Sequence, residues 1–343
     1  MQTSGELSGT WRLALAFAPL MPPALFRTAD WRRLEAFCSI PDAMPLRAFN
    51  DVRARAVLAE TQILVTGWGC PRIDAAVLEA APRLRLIAHA AGSVKALVGP
   101  EAFDRGITVV SAADANALPV AEFTVGAILF ANKRVFDLAA AYRRERRGLN
   151  LYLSAPAAIG NFGKVIGLIG ASRIGRRVAE LLRPYDFELL LADPLVSAED
   201  ARALGAEKLE LDELLARSDV VSVHAPSLPE TRHMLDARRL GLMRDGTILI
   251  NTARGALIDQ AALIAELVSG RLSAVLDVTE PDILPAESPL YDLPNVLLTP
   301  HIAGAMGEER QRFGRLVTDE IERFIRGEAL RHAIDPATFQ YQA

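Results

Sequence analysis

The stretch Val165–Gly175, VIGLIGASRIG, constrains the fold of this chain more than any other. An apolar run of strand type breaks at glycine and opens directly into RRVAELLRPY, whose Val178, Leu181 and Leu182 fall on one helical face. Strand, tight glycine turn and helix in immediate succession form the first half of a parallel βαβ unit. Two chemistries use such a turn. One is the dinucleotide-binding pattern G-x-G-x-x-G, in which backbone N–H groups at a helix N-terminus hold a pyrophosphate. The other is the nucleophile elbow G-x-S-x-G, which presents a serine for acyl transfer. Ser172 at the middle position makes the first pattern imperfect and the second worth weighing.

Two further residues decide between them. An elbow needs a small residue two places after the serine, and position 174 is isoleucine. The glycine falls instead at Gly175, where a dinucleotide turn needs it for close helix-to-strand packing, with Gly170 at the start of the turn. The next strand-like run, ELLLAD, ends in Asp193, 18 residues beyond Gly175. A carboxylate there can accept both hydroxyls of an adenosine ribose. Ser172 fits this reading, because its hydroxyl can donate to the pyrophosphate.

The rest of the chain follows the same alternation. Strand-like runs are expected near 12–18, 62–67, 84–91 and 107–112, with helical patterns over Asp51–Glu60 and Ile73–Ala81 between them. One long apolar-faced pattern runs from Pro119 to Arg147, with Pro119 suited to a first helical turn. The loop Ser154–Gly163 breaks the pattern. Further strands are expected near 188–193, 220–226, 247–252, 274–278 and 296–300, and an amphipathic helix over Glu308–Gly327 that returns to the first unit. This predicts an α/β fold with two doubly wound parallel-sheet domains. One is interrupted by the other, residues 1–115 with 305–343 against 116–304, with a cleft between them.

Composition narrows the function. A length of 343 residues suits about two domains, and 51% hydrophobic with 23% charged residues is an ordinary globular balance. A net charge of −4 argues against a nucleic-acid surface. Only Lys95, Lys133, Lys164 and Lys208 accompany the many scattered arginines, and the one cluster, Arg143–Arg147, reads as the solvated end of a helix. Two cysteines, Cys38 and Cys70, form neither a disulfide framework nor a metal-ligand spacing, so no metal is expected and a reducing compartment fits. The apolar stretch Leu13–Leu20 resembles the core of an export signal, but RLALAFA, residues 12–18, reads instead as a first buried strand. No apolar run of ~18 residues is expected to span a membrane, so the expected location is the cytoplasm.

Four stretches then give a specific resemblance: GKVIGLIGASRIG with Asp193-Pro194, HAPSLPETRHML, ILINTARGALID, and DVTEPDILPAESPLYDLPNVLLTPHIAG. Their order and spacing over more than 130 residues resemble the D-isomer-specific 2-hydroxyacid dehydrogenases, from about residue 46 to 327. The resemblance implies a flavodoxin-like substrate domain with an inserted Rossmann domain, NAD as cofactor, a small 2-oxo or 2-hydroxy acid as substrate, and a homodimer formed through the cofactor domain.

It also implies roles. Arg254 in NTARG would clamp the substrate carboxylate with its planar fork. His301 in TPHIAG would donate the proton, since imidazole titrates near neutral pH. Asp282 would raise and orient that imidazole, occupying a position where the family usually has the longer glutamate, with Glu280 at the less directly involved site. Gly170, Ser172, Arg173, Ile174 and Gly175 match the pyrophosphate turn, and Asp193 with Pro194 the ribose end. His224, Ala225, Pro226 and Thr231 match the adenosine side. Thr252, Ala253, Arg254, Asp277 and His301 match the nicotinamide side. Ala91, Gly92 and Ser93 lie in the loop Ala90–Val94, whose N–H groups would meet the substrate carboxylate; Lys95 follows where many members carry aspartate. Asn116 and Glu122 match a hinge pattern, and Trp68 is a candidate for the side-chain pocket or a packing anchor. The rival reading is an NAD(H)-sensing scaffold or corepressor of the same fold, favoured by the Ser172 and Asp282 departures and disfavoured by the retained Arg–acid–His set.

Overall fold

The structure, a computed structural model, describes residues 10–18, 25–146, 148 and 159–339. It divides into two compact units, Met1–Asn116 with Ala305–Ala343, and Ala117–Gly304.

The first unit is built on β1 (Trp11–Ala16), β2 (Cys38–Ser39), β3 (Ile63–Thr66), β4 (Leu86–His89) and β5 (Thr108–Ser111). They pair in the order β2-β1-β3-β4-β5, parallel throughout, which is the flavodoxin-like order. Helices α1 (Thr28–Phe37), α2 (Val52–Glu60), α3 (Ala75–Ala80) and α4 (Pro100–Asp104) join the strands. Asp51 and Asp74 start α2 and α3 by accepting the amides of Ala54 and Val77. Every residue of β3 and β4 is buried, as expected of a parallel strand covered on both faces. One face packs Leu58, Leu64, Ile87 and Val109, the other Leu13, Val65, Val110 and Phe313.

Helices α5 (Ala113–Asn132) and α6 (Val135–Glu145) lead to the second sheet. Its strands are β6 (Lys164–Ile169), β7 (Phe187–Ala192), β8 (Ala206–Lys208), β9 (Val220–Val223), β10 (Ile248–Asn251), β11 (Ser273–Leu276) and β12 (Val296–Leu298). Between them lie α7 (Arg173–Leu182), α8 (Ala198–Ala203), α9 (Leu211–Arg217), α10 (Ala237–Leu242) and α11 (Gln260–Val268); α12 (Gln311–Ile325) belongs to the first unit. The order is β12-β11-β10-β9-β6-β7-β8, all parallel, and the chain reverses direction across the sheet between β6 and β9. That switch point is the crevice where doubly wound sheets bind ligands. The two parallel-sheet α/β domains agree with the expected fold class.

Four expectations about helices need correction. Pro119 lies inside α5, which begins earlier, at Ala113. The pattern to Arg147 is two helices rather than one, because Arg134 turns left-handed (φ 51°) between α5 and α6; Arg147 and residues 154–158 of the loop Ser154–Gly163 lie outside the described residues. α5 also has the length and composition of a membrane span, contrary to the absence expected. Half of its residues are buried, and Ala121, Val125 and Ile128 pack with Ile166, Leu168 and Leu191 over the second sheet, as a core helix does. The returning helix is shorter than expected, a 3₁₀ turn over Gly307–Arg310 preceding α12.

Candidate active site

Register places the site. Ile169 pairs level with Ala192 and Val223, Val223 with Asn251, Asn251 with Leu276, and Leu276 with Leu298. The residues that follow, Gly170, Asp193, His224, Thr252, Asp277 and Thr299, therefore form one row along the carboxyl edge of the sheet. Five of the six were singled out from the sequence; Thr299 was not.

At the glycine turn, Gly170 has φ +95°, and a side chain there would meet the backbone of Ala225 at 2.7 Å. A Cβ on Gly175 would come within 2.1 Å of the Gly170 carbonyl oxygen, so α7 packs closely only with glycine at that place. Ser172 needs no such freedom. Its φ of −62° is ordinary for an L-residue, and its Oγ caps α7 by accepting the Gly175 amide at 3.3 Å. The amides of Ser172 and Ile174 reach no acceptor among the described residues, leaving donors at a helix N-terminus for an anion. Asp193 fastens the turn from the next strand: the Ala171 amide donates to Oδ2 at 2.7 Å and the Leu195 amide to Oδ1 at 2.8 Å. These features fit a pyrophosphate and ribose.

On the other side of the switch point, the His224 ring is enclosed at 4% exposure. Its Nε2 lies 2.9 Å from Ser222 Oγ, its Nδ1 is buried without a partner, and burial pushes its pKa down to about 4. Thr231 Oγ donates to the Pro226 carbonyl at 2.6 Å and accepts the Leu228 amide, closing the turn after it. Thr252 Oγ pairs with Thr124 Oγ at 3.0 Å.

The turn bearing Arg254 is braced by a residue the sequence reading passed over. Asn251 Nδ2 donates to the Arg254 carbonyl and its Oδ1 accepts the Ala253 amide. Arg254 is exposed, and its guanidinium makes no ion pair among the described residues; Nη1 donates to the Ala253 carbonyl. A Cβ on Gly255 would strike the backbone of Thr279 and Glu280, at 2.1 to 2.6 Å, so the loops after β10 and β11 lie against each other.

Asp277 is 2% exposed, and its carboxylate is used up inside the protein. It accepts the Thr299 hydroxyl at 2.6 Å and the amides of Ile302 and Ala303 at 2.8 and 2.9 Å. The His301 amide donates to the Asp277 carbonyl, and His301 stands left-handed at φ 55°. The tightly held turn thus projects an exposed imidazole with no hydrogen-bond partner among the described residues. Asp282 is exposed, and its one hydrogen bond runs through its carbonyl, from Thr279 Oγ. No hydrogen bond joins it to His301. Glu280 is engaged instead with Arg232 (2.7 Å) and His233 (3.3 Å), and the Arg232 guanidinium draws its carboxyl below the usual range.

In the first unit, the loop after β4 is fixed by Ser111, whose Oγ donates to the Gly92 carbonyl at 2.5 Å. The amides of Ala91, Gly92, Ser93 and Val94 have no acceptor among the described residues. Unpaired amides in succession are what a backbone anion site requires. Asn116 Oδ1 accepts the Ala305 amide at 3.0 Å, and Trp68 rests on buried Phe313 with ring centroids 5.3 Å apart. Glu122 is exposed. Ser111 lies in no quoted motif, and Asn251, although the first residue of NTARG, was given no role; each is found by asking what holds a loop's backbone.

A family profile described as "D-isomer specific 2-hydroxyacid dehydrogenase, NAD binding domain" matches residues 125–303. The chain is 36% identical over 266 residues to a D-3-phosphoglycerate dehydrogenase of Mycobacterium tuberculosis, covering 77% of this chain and 49% of that one. It thus spans about half the length of the phosphoglycerate dehydrogenases it matches. To a glyoxylate reductase of Thermofilum pendens it is 37% identical over 263 residues, 75% of this chain and 76% of the other. The fold is similar to apo D-mandelate dehydrogenase of Rhodotorula graminis, with TM-score 0.78 and 27% identity, covering 95% and 98% of the two chains.

Proposed function

The chain belongs to the D-isomer-specific 2-hydroxyacid dehydrogenase family, and from that premise we propose that it catalyses NAD-linked interconversion of a small 2-oxo acid and its 2-hydroxy acid. The unit Ala117–Gly304 is assigned the cofactor and the unit with both chain ends the substrate carboxylate. Bound NADH supplies the hydride. Arg254 grips carboxylate and carbonyl with a fork that no acid among the described residues occupies, and the amides of Ala91–Val94 hold the carboxylate. His301 gives its proton to the carbonyl oxygen as C2 is reduced, and Asp282 stabilises the imidazolium before that transfer.

The choice of His301 carries the reading. His89 and His224 are buried and pushed down to about 4, hence neutral at pH 7. His233 is bound to Glu280 and His332 to Asp114. His301 alone of the five offers an exposed, uncommitted ring. The partner is assigned as a second copy, through α6. Cys38 and Cys70 are free thiols pushed up to about 12 by burial, which suits a reducing compartment such as the cytoplasm.

The test is NADH oxidation with a panel of 2-oxo acids, with NADH affinity titrated separately. Turnover of at least one member is expected. Tight NADH binding without turnover of any member would overturn the reading in favour of the NAD(H)-sensing scaffold.

A further inference from the structure

Trp68 follows β3 and the carboxylate loop follows β4, so the two leave the same edge of the first sheet from adjacent strands. The indole is 40% exposed and backed by Phe313. Over its ring, 5.7 Å from the centroid, lies the guanidinium of Arg310. Many arginines of this chain, such as Arg33, Arg217 and Arg271, answer a carboxylate, whereas Arg310 makes no ion pair among the described residues. Its Nε reaches the Ala305 carbonyl at 3.4 Å and its Nη2 the Met306 sulfur at 3.9 Å, both weak, and it is half-buried. The adjacent Glu309 is turned away, accepting the Met306 amide at 2.9 Å, and Glu308 is exposed.

Short contacts link this cation to the loop. Arg310 touches Ala305; Ala305 donates to Asn116; and the Asn116 amide nitrogen lies 3.9 Å from where a Gly92 side chain would begin. A half-buried guanidinium held on an aromatic face, with unused donors and no ion pair among the described residues, can receive an anion. The loop already provides for one carboxylate.

We propose that Arg310, supported by Trp68, recognises a second anionic group at the far end of the substrate. The chain would then select dianionic 2-oxo acids, bearing a further carboxylate or a phosphate, over monoanionic ones. This rests on the 2-oxo acid reading above. A charge-assisted contact of this kind is worth ~10–100-fold.

The experiment compares kcat/KM for pyruvate and glyoxylate with that for oxaloacetate, 2-oxoglutarate and 3-phosphonooxypyruvate, in the full chain and in Arg310→Met and Arg310→Lys. The dianion-to-monoanion ratio is expected to exceed ~10 in the parent, to collapse toward one in Arg310→Met through KM, and to survive in part in Arg310→Lys. The carboxylate and phosphate arms show which anion is preferred. A ratio near one in the parent, or one unmoved by Arg310→Met, overturns the inference while leaving the dehydrogenase reading intact. Calorimetric titration of the NADH-bound protein with 2-oxoglutarate, 3-phosphonooxypyruvate and pyruvate gives the same ratio without turnover. If nothing turns over, the dehydrogenase reading falls, and the inference stands or falls on whether Arg310→Met abolishes dianion binding.

Discussion

Asp193 holds the glycine turn through one carboxylate oxygen and its own loop through the other, and it puts a negative charge where a 2′-phosphate would sit. NADH is therefore expected to bind more tightly than NADPH by at least ~1.4 kcal/mol, tenfold. Asp193→Asn keeps an acceptor for the turn and should narrow that gap with little loss of NADH affinity. Asp193→Ser should narrow it too, but weaken both cofactors by loosening Ala171. Equal affinities in a direct titration of the parent would sink the assignment. For His301, Gln keeps polarity and removes acid–base capacity, so kcat should fall ~10²–10⁴-fold with NADH binding unchanged. Arg254→Lys should mainly raise KM, because the planar fork is lost. Near-normal turnover by His301→Gln would mean that another group supplies the proton.

The loops are where sequence and structure part company. The row of strand ends was legible, because apolar runs and glycines mark both ends of a buried parallel strand. Ser172 looked like a defect only while the pattern was read as letters; its backbone angles require no glycine, and its hydroxyl does a cap's work. The short edge strands β2 and β8 and the helix α1 escaped notice, since two or three residues carry no periodicity and α1 buries only Asp30 and Leu34. The bracing roles of Asn251 and Ser111 were not legible for another reason: both bond to backbone, which leaves no pairing in the sequence. The loop after β11 holds the sharpest question. If Asp282 partners His301, Asp282→Asn should lower the apparent acid pKa in the kcat/KM profile for reduction, so that activity fades at a lower pH. Asp282→Glu should be tolerated. Glu280→Gln releases Arg232 and His233 from a loop that abuts Gly255, so the rate should drop across the whole pH range without a shift of the limb. A limb that moves in Glu280→Gln and stays put in Asp282→Asn would mean that Glu280 is the partner.

At the scale of the whole molecule, two buried histidines make stability sensitive to acid. His89 and His224 have folded values near 4, against 6.5 when exposed. Between those values the unfolded chain binds more protons, so stability is full above pH 6.5 and drains as pH falls toward 4, by on the order of 3 kcal/mol for each. The melting temperature should fall over that window, and less steeply in His89→Gln; parallel slopes would refute the linkage. Assembly follows from α6. Val135, Phe136, Leu138 and Ala139 give it an apolar side, yet it buries none of its residues. Phe130 and Phe136 pair at 6.1 Å, and Phe130 and Tyr142 are 54% and 60% exposed. A half-buried apolar stripe flanked by exposed Phe130 and Tyr142 marks an interaction surface, and in a two-fold assembly the same patch serves both partners. A dimer is therefore expected in sedimentation at micromolar concentration. Phe136→Glu with Tyr142→Glu should give a monomer with unchanged far-ultraviolet circular dichroism, since neither side chain is part of the core. A monomeric parent, or a double variant still dimeric, would remove α6 from the assembly.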